Sequence, residues 1–245
     1  MMNIKLTLQY DGTGYHGWQI QTNGVTVEGE LRKALEKITH ERVKITGCGR
    51  TDAGVHAMNY VCNFHTDSRM PAERYPYALN TVLPEDIVCI GACEADEDFC
   101  SNRSAAGKRY IYRIWNSEFP DAFRGKYSWH YKYPLDISKM RTAAEAFLGE
   151  HDFIGFASSG FSVKTTVRTI YSLDVYKDGS MITIDVYGNG FLYNMVRIIA
   201  GTLVYVGSGK IAAEDMPKII ESKDRKRAGI TAPARGLCLK EVYYR

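Results

Sequence analysis

Tyr171-Ser172-Leu173-Asp174-Val175-Tyr176-Lys177-Asp178-Gly179-Ser180-Met181-Ile182-Thr183-Ile184-Asp185-Val186-Tyr187 reads as two strands that meet at Asp178-Gly179, a dipeptide that tolerates the positive φ angles of a two-residue turn. An antiparallel hairpin therefore sits in the second half of the chain. Towards the C-terminus, Leu192, Met195, Val196, Ile199 and Leu203 form one side of a long helix, and a last strand is expected over 237–244. Towards the N-terminus, Asp136 caps a helix carrying Ile137, Met140, Ala144, Phe147 and Leu148, which Gly149 stops. Before it comes an aromatic-rich strand over 108–115.

The first half follows the same logic. Residues 4–10 alternate like a strand, Asp11 to Gly17 is a glycine-punctuated loop, and Thr26 caps a helix with Val27, Leu31, Ala34, Leu35 and Ile38 on one face. Tyr60, Cys62 and Phe64 mark a further strand. Strands and helices in both halves predict an α+β fold of two similar split-βαβ, ferredoxin-like lobes, 1–105 and 106–245, whose antiparallel sheets join into one central sheet flanked by helices. No Pro/Ser-rich linker separates them, so a shared interface is expected.

With 245 residues, 45% of them hydrophobic and 12% aromatic, the chain has ample material for a core. Its greasiest stretch, 191–206, is interrupted by Asn194, Arg197 and Thr202, which argues against a membrane span. The opening residues lack the basic and apolar blocks of a signal peptide, so a cytoplasmic location is expected. The six cysteines are scattered, and Cys89 and Cys93 have no second ligand pair to complete a zinc site; reduced thiols and no metal are expected. The net charge of +3 is too small by itself to imply nucleic acid. Its distribution says more: Arg103, Lys108, Arg109 and Arg113 cluster without acids, and Lys223, Arg225, Lys226, Arg227 and Arg235 crowd around Asp224 alone. Either cluster alone is ordinary solvated surface, yet basic faces kept apart from acidic ones are what a polyanion requires.

Chemistry concentrates in Gly47-Cys48-Gly49-Arg50-Thr51-Asp52-Ala53-Gly54-Val55-His56-Ala57. A carboxylate bracketed by glycine and alanine can be approached closely by a substrate. Taken alone, Thr-Asp-Ala-Gly is as readily a turn whose carboxylate accepts backbone hydrogen bonds, and His56 is given no catalytic role. The companions decide. Together with Tyr10-Asp11-Gly12-Thr13-Gly14-Tyr15-His16-Gly17-Trp18-Gln19, Lys108-Arg109-Tyr110-Ile111-Tyr112-Arg113, His151-Asp152-Phe153, Phe191-Leu192-Tyr193-Asn194-Met195-Val196-Arg197 and Ala228 to Leu237, this loop resembles the tRNA pseudouridine synthase A family. The strings occur in the family's order along the whole chain; Cys48 stands where such proteins often carry another small residue.

The resemblance implies that Asp52 is the catalytic aspartate, Tyr110 the tyrosine that packs on the uracil, Arg197 the basic partner of the aspartate and Leu237 a floor under the base. It implies that Arg50 fills the gap left by an everted uridine or holds the neighbouring phosphate, and that the enzyme is a homodimer acting at positions 38, 39 and/or 40 of the tRNA anticodon stem-loop. Lys108, Arg109, Arg225, Lys226 and Arg227 are the expected contacts to the RNA backbone. Isomerisation exchanges no electrons or atoms with the surroundings, so no cofactor is demanded. Without the resemblance, Tyr110 and Leu237 read as core residues and Arg50 as surface. Arg197, in an otherwise apolar helix, calls for a partner or an opening to solvent. Two rivals remain: an RNA-binding module or chaperone without turnover, and a glycosidic hydrolase, which calls for a second carboxylate that no Asp or Glu near the loop supplies.

Overall fold

The computed structural model describes residues 1–160 and 163–245. The chain is α+β and divides into two compact units, Met1–Ala106 with Cys238–Arg245, and Gly107–Leu237. Sequence reading put the last strand in the second lobe, but its residues from Cys238 onward belong to the first unit. No helix among the described residues is long and apolar enough to cross a membrane.

The first unit is built from β1 (Met2–Tyr10), α1 (Val27–Thr39), β2 (Thr46–Gly47), β3 (His56–Thr66), α2 (Tyr75–Leu79) and β4 (Ile87–Ala95). β1 pairs antiparallel with β3 on one side and β4 on the other, and β2 lies on the outer edge of β3, an order that matches the expected split-βαβ pattern. The C-terminal strand returns to that same edge: Cys238 and Leu239 run parallel to His56 and Ala57, and Asn59 donates to the Lys240 carbonyl. Alternation on β1 buries Ile4, Leu6 and Leu8 completely, against Tyr60, Cys62 and Phe64 of β3. Thr26 Oγ1 accepts from the Gly29 N–H, and Val27, Leu31, Ala34 and Leu35 form the buried stripe of α1, as its spacing predicts. Asn63 is buried too, which its chemistry allows because its Oδ1 accepts from both N–H and O–H of Ser101 while its Nδ2 donates to Asn3.

The second unit holds β5 (Ala105–Trp115, entering from Gly107), β6 (Trp129–His130), α3 (Ile137–Glu145), β7 (Gly149–Asp152), β8 (Val167–Asp178), β9 (Met181–Gly188), α4 (Met195–Gly207) and α5 (Met216–Glu221). β5, β9, β8 and β7 follow one another antiparallel, and β10 (Leu237–Tyr244) starts at this unit's last residue. The hairpin forms with one difference. Asp178 pairs with Met181, so the turn is Gly179-Ser180, with Gly179 at φ 54 in the first position that a two-residue turn reserves for glycine. α3 starts at the Asp136 cap but ends at Glu145, before Phe147 and Leu148, because both leave the helical turn and Gly149 opens β7. Only Arg197 and Tyr205 of α4 reach partial exposure, as expected of a helix apolar on every side.

Candidate active site

In the first unit, Asp52 stands on the crest of the loop between β2 and β3, half-buried, with its neighbours held from three directions. From beneath, the Tyr10 hydroxyl shares a hydrogen bond with Thr51 Oγ1 (2.8 Å) and Tyr60 donates to the Gly49 carbonyl (2.5 Å). Burial pushes the Tyr60 hydroxyl well above its ordinary pKa, so it remains a donor. Trp18 stacks on Tyr60, centroids 3.9 Å apart, and the Trp18 backbone N–H donates to the Thr51 carbonyl (3.1 Å). Beyond Asp52, Gly54 N–H donates to the Tyr15 carbonyl (3.2 Å), and Val55 N–H closes a turn onto the Asp52 carbonyl (3.1 Å).

Close approach of the 11–18 segment needs glycine. Gly17 lies at φ +86, and a Cβ there would stand 2.5 Å from the Thr51 carbonyl oxygen and 3.2 Å from the Asp52 carbonyl carbon. Gly12 packs on the Val55 backbone with no room for a side chain. Asp11 holds that turn through Thr13 (N–H 2.9 Å, Oγ1 2.5 Å), and His56 Nδ1 lies 3.1 Å from both Asp11 Oδ1 and Gly12 N. One ring nitrogen cannot serve both at once: protonated it donates to Asp11, unprotonated it accepts from Gly12. In either state His56, 5% exposed, is a peg for the loop.

In the second unit, adjacent residues of β5 face opposite ways, and register assigns each a side. Tyr110 and Tyr112 pair with Val186 and Ile184 and share their face; half-buried Tyr110 meets Phe191 edge-to-face at 5.2 Å. The buried Tyr112 hydroxyl donates to the Pro233 carbonyl (2.7 Å); burial raises its pKa strongly, against the opposing fields of Arg197 and Arg235. Arg197, half-buried in the first turn of α4, donates from Nε to the Ala232 carbonyl and from Nη1 to Asn194 Oδ1, both at 2.7 Å. Asn194 takes a left-handed backbone (φ 61), and its Nδ2 donates to Ser158 Oγ (2.9 Å). The 228–236 segment is locked across α4: Ala232 N–H donates to the Arg197 carbonyl, Gly229 N–H donates to Thr202 Oγ1, and Gly201 and Gly229 touch where no Cβ would fit. Three motifs far apart in sequence thus meet around Tyr112 and Arg197.

A sequence profile described as tRNA pseudouridine synthase matches residues 7–102 and 143–245. The chain belongs to the tRNA pseudouridine synthase family. A tRNA pseudouridine synthase A of Acetivibrio thermocellus is 51% identical over 244 residues, with all of both chains covered. Proteins of the same name from Ruminiclostridium cellulolyticum and Thermoanaerobacter sp. are 51% and 50% identical, again over the full length of each.

Within this pseudouridine synthase fold the remaining predicted residues fall as follows. Arg50 is exposed beside the Asp52 crest, and Leu237 is buried at the second unit's end. Lys108 shares the Tyr110 face of β5, whereas Arg109 lies on the opposite face and pairs through Nε with Asp185 Oδ1 (2.6 Å), itself only 4% exposed. Lys226 and Arg227 are exposed; Arg225 is half-buried and braces its own loop through Gly229 and Thr231. Among the described residues no three His, Cys, Asp or Glu side chains gather into a set able to hold a metal ion.

The sequence reading missed the Tyr10–Trp18–Tyr60 support, although Tyr10 and Trp18 both lie in the Tyr10–Gln19 motif. It also missed Asn194, whose signal was a polar residue directly before an apolar helix. A third omission is the role of His151-Asp152-Phe153, where Asp152 accepts from Lys223 (2.9 Å) and from Thr166 Oγ1 (2.6 Å) and ties β7 to the 222–226 turn. The Lys223 hydrogen bond, then Thr166, hold that carboxyl below the usual range.

Proposed function

We propose that this chain isomerises uridine to pseudouridine in tRNA, at one or more of positions 38, 39 and 40 of the anticodon arm, as a homodimer in the cytoplasm. The observation that carries the activity is full-length identity of about half to proteins named for it, together with the family profile. The reaction breaks the bond from ribose C1′ to uracil N1, turns the base and joins C1′ to C5; the C5 proton leaves and N1 gains one, so atoms and electrons balance.

Asp52 is the proposed essential carboxylate, acting at C1′, at the uracil ring or on a ribose proton. What supports it is a partly exposed acid in a loop braced at the Thr51 and Asp52 carbonyls and at the Gly54 N–H, since a reacting group must be held in place before the transition state forms. Tyr110 offers a flat face for the base and a hydroxyl for the proton lost from C5, while Arg197 supplies the cation that favours an ionised aspartate. A stacked uridine must first be everted, and Arg50 is proposed to fill its place or hold the adjacent phosphate. Leu237 is the proposed floor under the uracil, and Lys108, Arg109, Arg225, Lys226 and Arg227 are the proposed backbone contacts. Incubating the protein with unmodified tRNA transcript, without metal or nucleotide, and mapping pseudouridine by chemical labelling and primer extension tests the reading. Asp52→Asn is expected to abolish product and keep tRNA binding; an active D52N would show that another group does the chemistry.

A further inference from the structure

An open groove of about 580 Å³ in the second unit is lined by Ile154, Ala157, Ser158, Ser159, Gly160 and Arg225. We infer that it seats a phosphate of the substrate RNA backbone with its ribose, a built contact that adds Ser158 to the arginine and rests on the reading of tRNA as substrate.

Arg225 donates from Nη1 to the Gly229 carbonyl (2.8 Å) and from Nη2 to Thr231 Oγ1 (3.1 Å). Both acceptors are neutral, so they orient the guanidinium without cancelling its charge. Three of its five N–H groups remain to be donated, and among the described residues no carboxylate forms an ion pair with it. A planar donor fork already fixed on one side is suited to the paired oxygens of a phosphate.

Ser158 points the same way. Its oxygen accepts from Asn194 Nδ2, which leaves its O–H to be given to an acceptor in the groove, next to the exposed Ser159 hydroxyl. Ile154 and buried Ala157 supply the apolar floor that the C–H edge of a ribose needs. Exposed Lys226 and Arg227 follow Arg225 in sequence and add positive potential. The same Asn194 that holds Ser158 holds Arg197, so an anion seated here is one side chain removed from that cation.

Binding of unmodified tRNA transcript is measured across a salt series for wild type, Arg225→Gln and Ser158→Ala, with product formation by wild type as the control. Arg225→Gln is expected to weaken binding about tenfold at physiological salt and to reduce the slope of log K against log salt by about 0.7–0.9, the signature of one lost phosphate contact. Ser158→Ala, which leaves the arginine brace intact, is expected to weaken binding by roughly two- to tenfold with an unchanged slope, because a neutral donor releases no counterion. An unchanged slope in R225Q, or wild-type affinity in S158A, overturns the inference. If wild type forms no pseudouridine, the functional reading fails; if it does and the variants behave like wild type, only the groove fails.

Discussion

Gly17→Ala separates the bracing of the Asp52 crest from general stability. An L-residue at the φ of +86 found there is strained by about 1–2 kcal/mol. The new Cβ would stand 2.5 Å from the Thr51 carbonyl oxygen, where real contacts are never below 3.0 Å, so the Thr51–Asp52 peptide must retreat by at least 3.0 minus 2.5, or 0.5 Å. The same retreat loosens the Trp18 hydrogen bond to that carbonyl, worth about 1 kcal/mol. Misplacement by 1 Å costs a positioned catalytic group about 10²-fold, so half that distance predicts roughly a tenfold fall in single-turnover rate. Two controls share parts of the perturbation. Gly149 has φ +91 and Gly14 has an ordinary φ, and neither would meet another atom within 4 Å. Gly149→Ala is therefore expected to lower Tm by roughly 2–8 °C with the rate intact, and Gly14→Ala to change neither. The assay is single-turnover release of tritium from C5-labelled uridine in tRNA, beside thermal unfolding. A G17A protein with wild-type rate, or a G149A protein slowed as much as G17A, would refute the reasoning.

Asn194→Gly keeps the left-handed backbone and removes the carboxamide that holds both Arg197 and Ser158; the single-turnover rate at saturating tRNA should fall about tenfold or more, and full activity would show that the guanidinium is held without it. Asp152→Asn should cost about 1 kcal/mol or less at neutral pH, since Lys223 is more than half exposed and the pair is screened. The sign follows from the lowered folded-state pKa: the contribution is complete above the unfolded value of about 4 and disappears as pH falls through the depressed folded value. Urea midpoints of wild type and D152N should therefore differ at pH 7 and converge in acid, and a gap that persists in acid would contradict this. Among the thiols, burial works against ionisation at Cys100, but N–H groups of Arg103 and Asn102 outweigh it and lower its pKa, whereas burial pushes Cys89 up to about 11 and Cys62 well above the usual range. Alkylation at neutral pH followed by mass spectrometry should label Cys100 first and exposed Cys93 as well, leaving Cys62 and Cys89 unmodified until the protein unfolds.

Much of the fold was legible because its signals are local. Thr26 and Asp136 cap the helices they were assigned, since a side chain that accepts from an N–H three residues ahead needs no distant partner. The differences arise where local preference met a tertiary demand. Phe147 and Leu148 fit the helical spacing of α3, yet the chain leaves the helix there and Phe147 stacks with Phe153 and meets Phe156 edge-on. Arg109 and Tyr110, neighbours in the sequence, are sent by the strand to opposite faces, and Arg109 pairs with a buried aspartate.

What the sequence by itself determined is an inventory of the longer elements: the first strand, the strands around 60–65 and 108–115, the 171–187 hairpin and the last strand, the helices capped by Thr26 and Asp136, and that a glycine-flanked aspartate travels with a tyrosine strand and an arginine helix. These are properties of neighbours within a turn or a pleat, and periodicity records them. Tertiary structure alone decided that the C-terminal strand returns to β3, 181 positions from Asn59 to Lys240, and that Asn194 bridges Ser158, 36 residues away, to Arg197. Such contacts depend on which loops close and which backbones fit together, and no local pattern of side chains encodes that choice.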